Sequence, residues 1–264
     1  QEGTTLETLS IAQAVHNAGG TVICQVKRLA QRGSLHPQMV RVPGFLIDAF
    51  VIDENQWQNY AEPYDPSLCG EIRRPMTTLQ AGELDVRRVI ARRAAFELTP
   101  GAVFNLGAGV SAGISNVIAE ENMENLVTST IESGVIGGIP GERLYFGSAY
   151  NPQAIIDQPY MFDFYSGGGL DVAFVSFAEV DTEGNVNVTR FGNRNDGAGG
   201  FIEITQTAKR IVFSGTLTGG GLQVAINKGQ MKIDQEGSIQ KFVPAVNQIS
   251  FNGQLAHQQE RPAM

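Results

Sequence analysis

One stretch of the sequence, residues 126–138, constrains the fold more than any other. Leu126–Ile131 is rich in apolar and β-branched residues, which is typical of a short strand covered on both faces of a sheet. A glycine-rich segment follows and predicts a turn in which the backbone approaches another group closely. Glu132 lies where the strand ends. The sequence therefore places a single carboxylate at the end of a buried strand.

The residues before this strand predict a helix followed by a strand–helix–strand unit. The elements are a helix over Ala81–Leu98, a strand over Ala102–Leu106, a helix over Ser111–Glu121 and the strand Leu126–Ile131. Strands joined through a helix run parallel, with a right-handed crossover in nearly all proteins. We therefore expect an α/β fold with an open, mostly parallel sheet and flanking helices. Ligands of such sheets bind at the carboxyl ends of the strands, where Glu132 is predicted to lie.

Shorter elements are predicted on both sides of this unit. Before it come a helix over Thr5–Ala18 and strands over Thr21–Val26 and Phe45–Ile52. After it come a strand over Leu170–Val180, a hairpin turn over Asp181–Asn185, a helix over Phe201–Ala208, a strand over Lys209–Phe213, and edge strands at Val224–Ile226, Met231–Ile233 and Gln248–Phe251.

The predicted elements suggest three segments. The helix and two strands of residues 1–53 do not close a core by themselves, so we interpret them as the end of a first α/β domain whose beginning is absent. Residues 54–80, with few aliphatic side chains, are interpreted as a connecting segment. Residues 81–264 are interpreted as a second domain of similar type that carries Glu132. Since the sequence does not begin with methionine, we expect it to start inside a longer protein.

Composition excludes several classes of function. The formal net charge of -8 disfavours a nucleic-acid binder, which needs a basic surface for phosphates. Cys24 and Cys69 lie far apart and the three histidines are scattered, so we expect plain thiols in a reducing, cytoplasmic compartment and no metal site. No apolar run is long enough to span a bilayer, and no basic region of a signal peptide precedes the first helix.

The glycine-rich turns and Glu132 allow three interpretations. Gly107-x-Gly109-x-x-x-Gly113 resembles a dinucleotide fingerprint, and a Rossmann-type domain would use Glu132 as the acid that binds the ribose. Alternatively, Glu132 is a nucleophile that holds an activated acyl group, a role that requires a partly desolvated acid and backbone N–H donors for an oxyanion. In the third interpretation, Glu132 is structural and caps a turn or pairs with an arginine.

The nucleophile interpretation assigns each glycine turn a part. The turn at Gly134 would support Glu132, and Gly199 and Gly200 would supply the N–H donors. Residues 105–109 would line the channel of the molecule that carries the acyl group.

The sequence resembles the class I coenzyme A transferases, and most closely their acetate/propionate CoA-transferase branch. The motifs that carry the resemblance are Thr130-Ile131-Glu132-Ser133-Gly134, Asn105-Leu106-Gly107-Ala108-Gly109, Ser166-Gly167-Gly168-Gly169-Leu170-Asp171-Val172 with Glu183-Gly184-Asn185-Val186-Asn187, and Gly197-Ala198-Gly199-Gly200-Phe201-Ile202. The resemblance implies the family's α/β fold and covers nearly the whole sequence.

The resemblance also implies a reaction and a site. Glu132 would carry coenzyme A as a glutamyl thioester in a ping-pong transfer between a short-chain acyl-CoA and a carboxylate such as acetate, propionate or acetoacetate. The residues implied to bind CoA or an oxyanion are Asn105, Gly107, Ala108, Gly109, Ser133, Gly134, Gly199 and Gly200. No permanently bound cofactor or metal is implied, since coenzyme A is a substrate. The partners implied are the remainder of the first domain and further copies in a homo-oligomer, without nucleic acid or membrane.

Overall fold

The computed structural model describes residues 3–75 and 84–260. Its α-helices are α1 (Thr8–Asn17), α2 (Val86–Ala95), α3 (Ile114–Glu120), α4 (Gln158–Ser166), α5 (Phe201–Thr207) and α6 (Gly253–Gln258). Its strands are β1 (Ile23–Val26), β2 (Ala49–Ile52), β3 (Val103–Leu106), β4 (Thr128–Thr130), β5 (Val135–Ile136), β6 (Ile139–Pro140), β7 (Ala149–Tyr150), β8 (Ala154–Ile155), β9 (Val172–Ser176), β10 (Glu179–Val180), β11 (Val186–Asn187), β12 (Arg190–Phe191), β13 (Arg194–Asn195), β14 (Ile211–Ser214), β15 (Thr218–Gly219), β16 (Gln223–Asn227), β17 (Gln230–Gln235) and β18 (Ile239–Gln240). Short 3-10 turns lie at Pro37–Met39, Gly44–Leu46, Ser111–Gly113 and Arg143–Tyr145.

A six-stranded sheet in the order β14-β9-β3-β4-β5-β8 forms the centre of the fold. The pairs β14–β9, β9–β3 and β3–β4 are parallel, whereas β4–β5 and β5–β8 are antiparallel. In the register of the sheet, Asn105 lies opposite Thr130 on one side and Ala173 on the other. The predicted α/β class with a mostly parallel sheet is confirmed, and so is the parallel unit β3–α3–β4.

Side chains alternate between the two faces of this sheet and fill two cores. On one face, Phe104 and Phe174 meet edge to face with ring centroids 6.2 Å apart and pack among α2 and α3. On the other face, Ala173, Val175 and Ile211 pack against residues of α4, α5 and α6. Alternation along parallel strands that are covered on both faces produces this three-layer arrangement. The parallel strand ends therefore lie between two helical layers.

The N-terminal segment carries a small sheet of its own. Strands β1 and β2 pair in parallel, with Ile23 opposite Ala49 and Val26 opposite Ile52. All four residues of β2 are exposed, and Ile52 has 53% of its surface accessible. Parallel sheets are almost always buried on both faces. This pair of strands therefore presents an apolar surface that nothing in the described residues covers.

Several predicted elements differ in extent from those observed. The strand over Phe45–Ile52 is shorter, because its first part forms a 3-10 turn and only Ala49–Ile52 pairs as β2. The predicted strand over Gln248–Phe251 is wrong: this segment makes a single bridge, between Phe251 and Val186. The helix predicted over Ala81–Leu98 begins at Val86, since the Asp85 carboxylate caps it by accepting the Arg88 N–H. The first predicted positions, 81–83, lie outside the described residues.

Candidate active site

Glu132 lies in a tight turn between two central strands. Strand β4 ends at Thr130, β5 begins at Val135, and the Gly134 N–H closes the turn on the Ile131 carbonyl at 2.9 Å. The Ile131 N–H in turn donates to the Val135 carbonyl at 2.9 Å. Gly134 has a φ of +102°, which L side chains rarely adopt. Because the backbone of this turn is hydrogen-bonded on both sides, the position of Glu132 is set by the sheet.

The Glu132 side chain lines a cavity of about 410 Å³ at the carboxyl ends of β3 and β9. The end of β3 contributes Asn105, Gly107 and Ala108, while the loop before α5 contributes Gly199 and Gly200. The remaining wall is mostly apolar and comprises Phe146, Val175, Ser176, Phe177, Ala178, Val188, Phe191, Gly197, Ala198, Phe201 and Ile204. The cavity therefore combines one carboxylate with a few polar backbone and side-chain groups, a composition typical of small-molecule sites.

Gly200 makes the closest approach to the Glu132 carboxylate. A Cβ atom added at Gly200 would lie 2.5 Å from Glu132 Oε2 and 2.7 Å from Phe162 Cζ. The Gly200 backbone N–H donates to the carboxylate and favours its ionised form. Gly200 has φ -79° and ψ 1°, a conformation open to any residue, so the backbone itself does not require glycine there. Glycine is required because only a residue without a side chain leaves enough space beside the carboxylate.

Opposing influences act on the pKa of Glu132. Burial raises the pKa of this carboxyl, the Gly200 N–H lowers it, and the negative charge of Glu203 on α5 raises it, with a net upward shift. No arginine or lysine in the described part of the chain forms an ion pair with Glu132. A partly desolvated carboxylate with a raised pKa is a stronger nucleophile than a solvated one.

A chain of hydrogen bonds lies beneath Glu132 and involves two residues that were not predicted as site residues, Thr130 and Tyr165. The Tyr165 hydroxyl donates to Thr130 Oγ1 at 3.0 Å, and Thr130 Oγ1 donates to the Phe104 carbonyl at 2.8 Å. Asn105 Nδ2 donates to the Tyr165 hydroxyl at 3.1 Å and to the Thr130 carbonyl at 3.3 Å. Burial raises the pKa of the Tyr165 hydroxyl, so that it keeps its proton at neutral pH.

The structure brings five of the predicted binding residues into one cavity with Glu132: Asn105, Gly107, Ala108, Gly199 and Gly200. Gly107 shapes the wall by close packing, because its N–H donates to the Phe174 carbonyl at 2.8 Å and a Cβ there would lie 3.2 Å from that oxygen. Gly109, with a φ of +106°, lines an adjoining cavity of about 550 Å³ that shares Ala108 and Phe146 with the first.

Ser133 and Gly134, the other predicted binding residues, belong to the turn itself and not to the cavity wall. The Ser133 hydroxyl donates to the Gly147 carbonyl at 2.5 Å, and the Gly134 N–H is used inside the turn. A Cβ at Gly134 would overlap the Ile156 carbonyl oxygen. In this structure both residues fix the backbone around Glu132, and contact with a ligand stays a prediction for each of them.

Neither a metal-binding cluster nor a membrane-spanning helix is found within residues 3–75 and 84–260. No group of three or more His, Cys, Asp or Glu side chains converges in a way that could hold a metal ion there. The longest helices of those ranges, α1 and α2, have 10 residues each, about half of what a bilayer-spanning helix needs.

Comparison with known proteins identifies the class to which this fold and site belong. No family model matches the chain. Among curated proteins, it is 44% identical over 252 residues to the acetate CoA-transferase YdiF of Escherichia coli K12, covering 95% of the chain and 48% of that protein. It is 40% identical over 263 residues to the caffeate CoA-transferase of Acetobacterium woodii, covering 97% of the chain and 50% of that protein.

Comparison with solved structures points to the same class of enzyme. The apoenzyme of the acyl-CoA transferase YdiF from E. coli O157:H7 superposes with a TM-score of 0.88 at 42% identity, covering 99% of the chain and 49% of YdiF. A second structure of the same enzyme is described as a thioester complex with CoA and matches equally well. The chain belongs to the class I coenzyme A transferases, which confirms the resemblance seen in the sequence. It spans about half the length of the curated relatives that it matches.

Proposed function

We propose that the full protein transfers coenzyme A between a short-chain acyl-CoA and a free carboxylate, through a glutamyl-CoA thioester on Glu132. The observation that carries this proposal is the Glu132 carboxylate itself: it is half-buried, lines a cavity at the carboxyl ends of the parallel strands, and accepts the Gly200 N–H. The relatives add support, since YdiF is an acetate CoA-transferase and one of its structures is a thioester complex with CoA.

The chemistry requires acyl substitution at two carbonyl groups, first that of the acyl-CoA and then that of Glu132. A Glu132 oxygen attacks the thioester carbonyl of acyl-CoA, the C–S bond breaks, and CoA leaves as a thiolate, which gives an acyl-glutamyl anhydride. The thiolate then attacks the glutamyl carbonyl of Glu132, expels the acyl group as its carboxylate, and forms the thioester. An incoming carboxylate reverses both steps and leaves as the new acyl-CoA. Protons and electrons balance without a redox partner.

The environment of Glu132 suits each of these exchanges. Each attack creates a tetrahedral centre with a negative oxygen, and a fixed backbone N–H beside it is the usual stabilising group. Gly200 places its N–H against the carboxylate, with Phe162 close behind. The apolar wall keeps water from the anhydride, which would otherwise hydrolyse. This arrangement supports the nucleophile interpretation over a structural Glu132 paired with an arginine, since no ion pair of Glu132 is found among the described residues.

The comparisons also favour the transferase over a dinucleotide-binding domain. The loop after β3 does lead into a helix, with a 3-10 turn over Ser111–Gly113 before α3. However, relatives at 40–44% identity are CoA-transferases. The carboxylate substrates proposed are acetate, propionate and acetoacetate. Because one relative acts on caffeate, an assay panel should include an aromatic acid.

We also propose that residues 1–53 complete a first domain in the full protein, that residues 54–80 connect it to the second domain at 81–264, and that the protein is a homo-oligomer. Support for the first point comes from the exposed β1–β2 sheet and from relatives twice as long as the chain. Hydrogen exchange of the full protein tests it, since the β2 amides should be strongly protected there. Fast exchange of β2 would contradict this proposal.

A mass measurement tests the catalytic proposal directly. The full-length protein is incubated with acetyl-CoA without an acceptor acid, and the intact mass should rise by that of CoA less one water. Peptide mapping should place the adduct on Glu132, and borohydride or hydroxylamine should discharge it. Glu132→Gln should give no adduct. Glu203→Gln, a matched change of the neighbouring carboxylate on α5, should still give it. An adduct on another residue, or none on the wild type, would refute the proposal.

A further inference from the structure

The buried amide of Asn105 has one polar atom without a partner. Asn105 is fully buried on β3 and lines the Glu132 cavity. Its Nδ2 makes two hydrogen bonds, whereas Oδ1 finds no hydrogen-bond partner among the described residues. A buried acceptor without a donor is costly, so such atoms in native proteins usually meet a ligand or a water molecule. Here the only group of Asn105 left for a ligand is an acceptor.

The donors and acceptors along the hydrogen-bond chain determine that the unpaired atom of the Asn105 amide is Oδ1 and not Nδ2. The Phe104 carbonyl can only accept, so Thr130 Oγ1 donates to it and is free to accept from the Tyr165 hydroxyl. With its single proton given to Thr130, Tyr165 can only accept from Asn105. The Thr130 carbonyl, the second neighbour of the amide, also only accepts. Both neighbours therefore require the NH2 group, and the reversed amide would place Oδ1 against two acceptors.

Building on the function proposed above, we propose that Tyr165 is a positioning residue for the transfer reaction. Through Thr130 it holds the Asn105 amide so that Oδ1 accepts a hydrogen bond from the amide N–H nearest the sulfur in the arm of coenzyme A. A carbonyl oxygen or a carboxylate of the substrate acid has no proton to give to Oδ1. The arm of coenzyme A carries amide N–H donors and must enter the cavity for its sulfur to reach Glu132.

The place of Tyr165 in the fold fits this role. It lies on α4, fully buried, and its ring packs edge to face against Phe162 at a centroid distance of 5.6 Å. Phe162 borders Gly200, whose N–H donates to Glu132. The Thr207 hydroxyl donates to the Tyr165 carbonyl at 2.6 Å, which ties α4 to α5. Tyr165 is therefore held by packing and by the backbone, and its hydroxyl has little freedom to leave Asn105.

The test combines variants of the full-length enzyme with a modified substrate. Tyr165→Phe removes only the hydroxyl, and Thr130→Val removes its acceptor while keeping the shape of the side chain. Each should lower kcat/KM for acetyl-CoA by about 10-fold, the value of one buried hydrogen bond. Ser129→Ala is the matched control, since Ser129 is a buried hydroxyl on β4 that donates to the Gly138 carbonyl outside this chain. It should lower Tm comparably and keep kcat/KM.

A second substrate separates positioning from a merely structural role. In an acetyl-CoA analogue the amide N–H nearest the sulfur is replaced by an ester oxygen. The wild type should lose about 10-fold in kcat/KM on this analogue. Tyr165→Phe and Thr130→Val should lose much less, because the hydrogen bond is already weakened in them.

Two results would overturn the inference: equal losses on the analogue in wild type and variants, or full kcat/KM in Tyr165→Phe. Both leave the adduct on Glu132 in the wild type unaffected. Absence of that adduct would instead refute the proposed function.

Discussion

Replacing Gly200 with alanine should displace the Glu132 carboxylate without straining the backbone. The added Cβ would lie 2.5 Å from Glu132 Oε2, whereas ordinary van der Waals contact begins at 3.4 Å. The carboxylate must therefore retreat by about 0.9 Å, and a misplacement of about 1 Å in an active site can cost about 100-fold in rate. A 100-fold loss in kcat corresponds to about 2.7 kcal/mol of transition-state stabilisation. The hydrogen bond from the Gly200 N–H would weaken at the same time.

The assay follows both rate and stability in the full-length enzyme. Rates of thioester formation from acetyl-CoA give the loss in catalysis, and urea denaturation gives the loss in free energy of unfolding, about 1–3 kcal/mol for overpacking against Phe162. Gly192→Ala is the control, since Gly192 has a φ of +59° with open space around its Cβ position. Alanine there costs about 1–2 kcal/mol through backbone strain alone. Transfer rates of Gly200→Ala within threefold of the wild type would refute the proposed role of Gly200.

Three further predictions concern the charge of Glu132 and the turn that holds it. Glu132→Gln should raise Tm at pH 8, because it removes a desolvated charge, and the gain should vanish as the pH falls below the ordinary glutamate range; a lower Tm at pH 8 would favour a structural Glu132. Glu203→Gln should shift the acidic limb of the kcat/KM profile to lower pH, since the charge of Glu203 raises the pKa of Glu132; an unmoved limb would contradict this coupling. Gly134→Ala should cost about 3 kcal/mol or more in free energy of unfolding, as it adds overlap with Ile156 to left-handed strain. Gly147→Ala, with a φ of +98° and open space, should lose only about 1–2 kcal/mol by denaturation, and equal losses would disprove the steric argument.

The central unit of the fold could be predicted because its signals are local. The apolar strand over 126–131, the glycine turn and the helix over 111–121 each follow from neighbouring residues, and they correspond to β4, its turn and α3. Strands β5 and β8, of two residues each, carry no periodicity that a sequence could show. The Glu132 turn reverses the chain between β4 and β5, which makes that pair antiparallel, and β8 pairs antiparallel with β5 at the end of the sheet.

The site could be predicted only in part, for a similar reason. Glu132, Gly200 and Asn105 stand at strand or helix ends beside glycine-rich turns, and such positions are visible in the sequence. Tyr165 lies in a run of aromatic residues on α4, where several side chains look alike. Which of them reaches Thr130 depends on how α4 packs against the sheet. No local pattern encodes that packing, so the hydrogen-bond chain emerges only from the structure.

The groups on the two sides of Glu132 differ in how rigidly the fold holds them. Below it, Asn105 and Thr130 lie opposite each other on adjacent parallel strands, and Tyr165 joins them from a packed helix, so this side is part of the rigid sheet. Above it, Gly200 follows a loop in which Gly197 and Gly199 have positive φ. The proposed thioester needs both properties: fixed groups to position the carrier, and a backbone N–H close enough to follow the carbonyl carbon as it changes from planar to tetrahedral. A side chain at position 200 itself would crowd the carboxylate, which gives a physical reason for glycine there.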